Sequence, residues 1–410
     1  SLSPFRNPTE SFNLDPETKD QISEILTEAM EQTTGLLIPY NACVEIKDDP
    51  VFKYVRFIEY EKYIAIFAHD QNDRFISELY VKGEKEFQKL RSKINLDQTI
   101  NLTSDFDLHP ALNCFHELWE DNKAAAVHAT SIPYTGRSHF DGQNLMESGG
   151  KTPYAVKTGW LGRGMNVAKL KGEGLALSLP MPLLLRGIPM NDNYYPAKGK
   201  LPDQETLRLL EEIYSDKDEK ELKMILKTIR KRPVQSWTSR NSHDLANNAA
   251  LQMNKKNGPK VAVFEVNGFD THAAQGSTDG AHADCLKEVD SILKSLKGSL
   301  GKNLENTLIL TLTEFGRSVK QNNSNGTEHG YGTSILMAGG LLKKSQIYTD
   351  WPGLKKKERF EGRDLDSTID ARSIYASAMS SVFDVSFKEI QKKVFWGEQL
   401  NNLSDKLFKS

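Results

Sequence analysis

The chain has 410 residues, and its 53 Lys plus Arg nearly balance 55 Asp plus Glu, so no overall field draws it to nucleic acid or an anionic membrane. It holds no run of about 18 apolar residues, which excludes an apolar membrane-spanning helix. Its three cysteines, Cys43, Cys114 and Cys285, are far apart without a CxxC pair, and fit neither a disulfide framework nor a thiolate metal site.

Residues 1–12 read as an irregular lead-in. Asp15-Pro16 then offers an N-cap and an N1 proline, with Ile22, Ile25, Leu26 and Met30 at helical spacing. Residues 43–67 turn strand-like and end on a β-branched and aromatic run from Tyr63. His69-Asp70-Gln71-Asn72-Asp73 follow it, the first polar groups at the end of a strand. After an amphipathic face of Ala111, Leu112, Phe115, Leu118 and Trp119, residues 123–130 read as a short buried strand. Arg137-Ser138-His139 lie shortly beyond it.

A helix is expected from Gly159-Trp160, a strand at 175–179, a long loop at 186–202 and two helices within 207–232. The run Val261-Ala-Val-Phe-Glu-Val is a further buried strand, and the DxH pair Asp270 and His272 follows it. A helix with Leu286, Val289, Ile292, Leu293 and Leu296 on one face precedes the strand Thr307-Leu-Ile-Leu-Thr-Leu-Thr, which delivers Glu314. An Asn/Ser/Gly loop then leads to His329, and Ser334-Ile-Leu-Met-Ala is the last strand. Helices at about 369–383 and 387–409 finish the chain. Strand–helix alternation of this kind predicts an α/β fold with a mostly parallel central sheet flanked by helices. The division expected is an N-terminal extension at 1–60, an α/β domain at 61–385 and a C-terminal helix at 386–410.

In open α/β sheets, ligands sit outside the carboxyl ends of the strands. Asp73, Ser138, His139, Asp270, His272 and Glu314 all lie at or just past such ends. Carboxylates and imidazoles without thiolates suit a divalent metal such as zinc, manganese, iron or calcium. Asp270, His272 and His329 make a compact mixed site, with Glu314 and Asp73 as carboxylates for the same or a neighbouring ion. Two ions about 4 Å apart would clamp an in-line displacement at phosphorus or sulfur. Ser138 is then the expected nucleophile, and Arg137 the expected partner of phosphate or sulfate oxygens. The plainer reading makes Ser138 a helix cap, with Asp141 three residues on. His109, before Pro110, reads as a turn residue and His128 as core. His282 carries no signal.

SHFDGQNLMESG (138–149), TGWLGR (158–163), GFDTHAAQG (268–276), TLTEFGRS (311–318), GTEHGYG (326–332), YTDWPGL (348–354) and EGRDLDSTIDAR (361–372) occur in this order. Together they resemble a bacterial domain-of-unknown-function family of the alkaline phosphatase/sulfatase-like superfamily. The resemblance implies an alkaline-phosphatase-like sheet carrying a two-metal site for phosphate or sulfate esters. It implies that Asp270, His272 and His329 hold one metal and that Glu314 stands at the second. Phe315 occupies the place of a histidine of that second site, leaving it one ligand short. Asn72 and Asp73 are kept in a turn that has lost its glycines, and the formylglycine sulfatase signature is absent.

Two functions are therefore expected in competition. One is a metal-dependent hydrolase or transferase of phosphate-like esters, using Ser138 or a metal-activated water on a small ester or glycan-like ligand. The other is a non-catalytic descendant that keeps the fold and at most one metal, as a binding or scaffold protein. The resemblance also implies a periplasmic or otherwise exported location.

Overall fold

The computed structural model describes residues 63–69, 79–82, 84–177, 181–188, 191–194, 204–213, 241–266 and 268–409. The helix expected after Pro16, the turn holding Asp73 and the second helix of 207–232 lie outside the described residues. The chain forms two compact units, one of Ser1–Arg56 with Asn193–Arg240 and one of Phe57–Asp192 with Asn241–Ser410. The first contributes one described helix, Gln204–Ile213, which buries Leu210 and leaves Leu209 in solvent.

The second unit is built on a sheet. Its strands are β1 (Tyr63–His69), β2 (Ala124–Ser131), β3 (Gly174–Leu177), β4 (Val261–Val266) and β5 (Thr307–Leu312). After them come β8 (Thr333–Ala338), β9 (Gln346–Tyr348) and β10 (Ile369–Asp370), while β6 (Arg317–Gln321) and β7 (Thr327–His329), between β5 and β8, form a separate two-stranded sheet. Across the sheet the order is β9, β2, β8, β5, β1, β4, β3, with β10 also paired to β2. Every residue of β2, β5 and β8 is buried, as their largely apolar composition requires of strands covered on both faces. The pairings are parallel, Ile64 opposite both Val261 and Leu308, except those of β8. That strand runs antiparallel to β2 and β5, Leu336 facing Ala126 and Met337 facing Leu310. Among these strands the sheet is mixed, with β8 reversed.

The unit's longer helices are α1 (Asn113–Glu120), α2 (His139–Ser148), α3 (Trp160–Val167), α4 (Ser242–Met253), α5 (Ala281–Leu300), α6 (Ala371–Phe383) and α7 (Phe387–Val394). Alternate strand residues point to opposite faces. Ala125, Val127, Val261, Val263, Leu308 and Leu310 share one core with apolar residues of α2, α3, α6 and α7. Trp160 of α3 stacks on Tyr375 of α6 at 4.6 Å between centroids. Helices α1 and α4 pack on α5 and on β2 and β4 respectively. Each fully buried Leu or Val in this double-sided core contributes about 1.5–3 kcal/mol.

The helix expected at 387–409 is shorter. It ends at Val394, because Trp396 and Gly397 turn left-handed with φ of 53° and 79°, and helical hydrogen bonding cannot continue through them.

Candidate metal centre

Three chain segments leave the carboxyl edge of the sheet and meet above it. Beyond β2 the chain reaches α2, with Ser138 as N-cap and His139 as the first helical residue. Beyond β4, a turn at Gly268 with φ 104° brings Asp270 and His272 round. Beyond β5 comes Glu314, 1% exposed. The reversal of β8 explains how His329 joins them. Instead of crossing over, the chain makes the β6–β7 hairpin above the edge it has just left, then returns antiparallel as β8.

The hairpin is pressed onto the DxH segment. The Thr327 amide donates to the Thr271 carbonyl at 3.2 Å, and the Asn322 side-chain amide donates to the His272 carbonyl at 2.7 Å. At Gly326 a Cβ would stand 2.3 Å from the His272 carbonyl carbon, so glycine is what permits this approach.

Four side chains converge there. His272 Nε2 lies 2.9 Å from His329 Nε2 and 3.0 Å from Asp270 Oδ1. His329 Nε2 is 3.8 Å from Asp270 Oδ1, and His139 Nε2 is 3.6 Å from Asp270 Oδ2. One donor atom from each of His139, Asp270 and His329 lies within 4.8 Å of the others. Donors about 2.0–2.1 Å from a tetrahedral ion stand roughly 3.4 Å apart, so these separations suit ligands of a single cation.

The orientation of the rings is more informative than their proximity. Each imidazole has Nδ1 against an oxygen: His139 on Glu314 Oε1 at 2.8 Å, His329 on the Arg137 carbonyl at 2.7 Å, His272 on Glu328 Oε2 at 3.1 Å. A proton held on Nδ1 leaves Nε2 as a lone pair, and all three Nε2 atoms face inward. Two such lone pairs at 2.9 Å repel unless a proton or a cation lies between them. Outer oxygens that fix the tautomer of inward imidazoles are the usual surroundings of a metal-binding histidine. The residues present therefore fit a divalent ion.

Charge around the cluster is managed by a buried arginine. Arg317, 1% exposed, donates to Asp270 Oδ1 at 2.8 Å and to Thr327 Oγ1 at 2.7 Å, and also bonds the Thr327 carbonyl. Burial pulls its pKa down, against the opposing pull of Asp270. The Asn322 hydrogen bond, aided by His272 and Arg317, holds Glu328 below the usual carboxylate range despite some burial. Phe315, 2% exposed, lies 5.4 Å from both the His139 and the His329 rings, forming an apolar wall beside them.

The expected site residues distribute as follows. Asp270, His272, His329 and Glu314 come together. Glu314 reaches the cluster through His139, on which Oε1 is spent. Ser138 lies between the Arg137 carbonyl on His329 and the His139 imidazole, and makes no side-chain cap to α2. Its amide donates to the Tyr134 hydroxyl at 2.9 Å. The Arg137 guanidinium turns away, bonding Asp364 Oδ2 at 2.7 Å and Glu361 Oε2 at 2.6 Å. Burial opposes its charge, but these two carboxylates outweigh it and raise its pKa. Asp73 lies outside the described residues. His139 is the functional candidate to which sequence reading gave no role, although its place at a strand end was visible. His109 is a turn residue, accepting from the Ala111 amide at 3.1 Å and bonding the Ser277 carbonyl. His128 is core, 3% exposed.

A family model described as "Protein of unknown function (DUF1501)" matches residues 128–375. A search of curated proteins gave no match. Murine ectonucleotide pyrophosphatase/phosphodiesterase 5 is similar in structure at 10% identity and a TM-score of 0.41, over 84% of this chain and 100% of that one. PsFucS1 sulfatase from Pseudoalteromonas sp. is similar at 12% identity and a TM-score of 0.35, over 91% of this chain and 72% of that one. For alkaline phosphatase from the Antarctic bacterium TAB5 the values are 10%, 0.31, 82% and 98%.

Proposed function

The chain belongs to the DUF1501 family, and we propose that it is a metal-dependent hydrolase or transferase of phosphate-like esters built around one ion. Asp270, His272 and His329 hold the ion, and His139 faces it from α2. The observation that carries this reading is the common orientation of three imidazoles, each with Nδ1 on an oxygen and Nε2 turned inward. A divalent ion bound there supplies Lewis-acid polarisation of an ester oxygen and eases deprotonation of a nucleophile.

The chain's own residues do the rest. Glu314 and the Arg137 carbonyl aim two of the rings, and Arg317 neutralises one oxygen of Asp270, leaving Oδ2 toward His139. Ser138, uncapped at the start of α2, offers a hydroxyl as the attacking group, with water as the alternative. His272 and Glu328, 38% and 49% exposed at their side chains, mark the open side by which an ester enters.

A second reading has its own observations. Phe315 packs on the His329 ring where the resemblance implies a histidine of a second metal site, and the Arg137 fork is committed to Asp364 and Glu361. Both favour a one-metal binding protein without catalysis.

Metal analysis of purified protein with and without His329→Ala comes first. We expect about one divalent ion per chain, lost in the variant; absence of stoichiometric metal after supplementation with zinc or manganese rejects both readings. A panel of phosphomonoesters, phosphodiesters and sulfate esters then separates them. Turnover that falls more than about a thousandfold in Ser138→Ala identifies an enzyme with a serine nucleophile. Turnover unchanged in that variant leaves water as the nucleophile, and no turnover on the whole panel leaves the binding protein.

A further inference from the structure

We infer a second binding site, at the opposite end of α2 from the imidazole cluster, that takes an uncharged sugar ring of a glycan. Ten helical residues, about 15 Å, separate His139 from Ser148, so the two sites do not share residues.

Trp396 stands at the edge of this site. It adopts φ 53° although glycine follows it directly. A bulky side chain in that region is a genuine outlier, and strain of this kind gathers at ligand sites. Its consequence is an indole that stands 51% exposed. One face is covered by Arg163, whose Cζ lies 4.4 Å from the ring centroid. Arg163 does not need the indole as a partner, because the Val394, Thr158 and Ser148 carbonyls already take its Nε, Nη1 and Nη2.

The remaining surface of Trp396 borders an open cleft of about 180 Å³, shared with Lys151, Thr152, Arg372 and Glu398 but not with Arg163. The charges in the cleft are internally paired. Glu398 is 2.6 Å from Lys151 and 3.6 Å from Arg372, and Arg372, 4% exposed, is 2.7 Å from Asp370. Neither sign is in surplus, so no ion is selected. A purely apolar ligand would strip water from those groups and return no hydrogen bonds. A pyranose ring meets both demands: its C–H face lies on the indole while its hydroxyls bond the carboxylate, the ammonium and the Thr152 hydroxyl.

The test uses the full chain and three neutral probes: maltohexaose, cellohexaose and chitohexaose, each titrated by calorimetry. We expect saturable binding of at least one, weakened tenfold or more in Trp396→Ala and measurably in Lys151→Ala, and unchanged in His329→Ala. Lys151 is exposed, so its variant keeps the measurement meaningful if Trp396→Ala fails to fold. Binding of none of the three overturns the site. So does binding that Trp396→Ala and Lys151→Ala leave intact, or binding lost in His329→Ala alone, which places the sugar at the imidazole cluster. The His329→Ala arm separates this proposal from the metal reading, since either can fail alone.

Discussion

At the scale of single residues, Glu314 decides what kind of centre this is. The family resemblance implies a ligand of a second ion, whereas the structure gives its Oε1 to His139 Nδ1 at 2.8 Å. A buried carboxylate in that place is a large uncompensated charge unless a cation or a hydrogen-bonded imidazole answers it, and here the imidazole does. Its effect is then to raise the basicity of His139 and hold the ring, the role of a carboxylate behind a metal-bound histidine. Glu314→Gln keeps the shape and an accepting oxygen but removes the charge. We expect zinc affinity to fall about 10–100-fold, read by chelator competition, with one ion still bound at saturation. If Glu314 were itself a ligand of a second ion, the saturating stoichiometry would instead drop from two to one.

At the scale of elements, the hairpin between β5 and β8 makes the site. Gly326 lets β7 lie against the DxH segment, and its φ is not left-handed, so the constraint there is one of space. Gly326→Ala drives a methyl toward the His272 carbonyl carbon at 2.3 Å. Overpacking of this sort costs about 1–3 kcal/mol, and it pushes His329 away from Asp270. We expect metal affinity to fall by more than stability does; a variant that binds metal like the parent shows the hairpin to be slack. Much of this architecture is legible in the sequence. β2, β4, β5 and β8 are written as largely apolar runs, and Asp270, Glu314 and Ser138 as polar residues just past three of them. What the sequence does not carry is direction. Ser334-Ile-Leu-Met-Ala reads the same parallel or antiparallel, and only the reversal brings His329 back to the edge it left. Nor does it carry partner choice. The planar fork of Arg137 suits an ester oxyanion as well as it suits Asp364, and the two cannot be told apart until the segment at 361–364 is placed beside it.

At the scale of the whole molecule, the core stores an acid sensitivity. His128 is fully enclosed in β2 between the Phe106 and Trp351 rings, with Nδ1 buried and unbonded, and burial pushes its pKa down to about 4. His282, buried on α5 against His109 and Phe269, is pushed down to about 3. Both are neutral in the native state where an unfolded histidine, near 6.5, takes up a proton. Above that value they leave stability unchanged. As pH falls below it the unfolded chain gains protons that the native state refuses, and stability drops by up to about 1.4 kcal/mol per histidine per pH unit. The loss continues until pH reaches the depressed values. Glu147, Asp290 and Asp364 act in the opposite sense, since burial raises their carboxyl pKa values and the native state takes protons before the unfolded one. The difference between two proteins isolates the imidazole. His128→Phe continues the aromatic contacts and removes one of the titrating groups, so its urea midpoint should fall less steeply than the parent's between pH 6.5 and 4.5. Parallel curves for the two proteins would mean that His128 takes up its proton inside the native core.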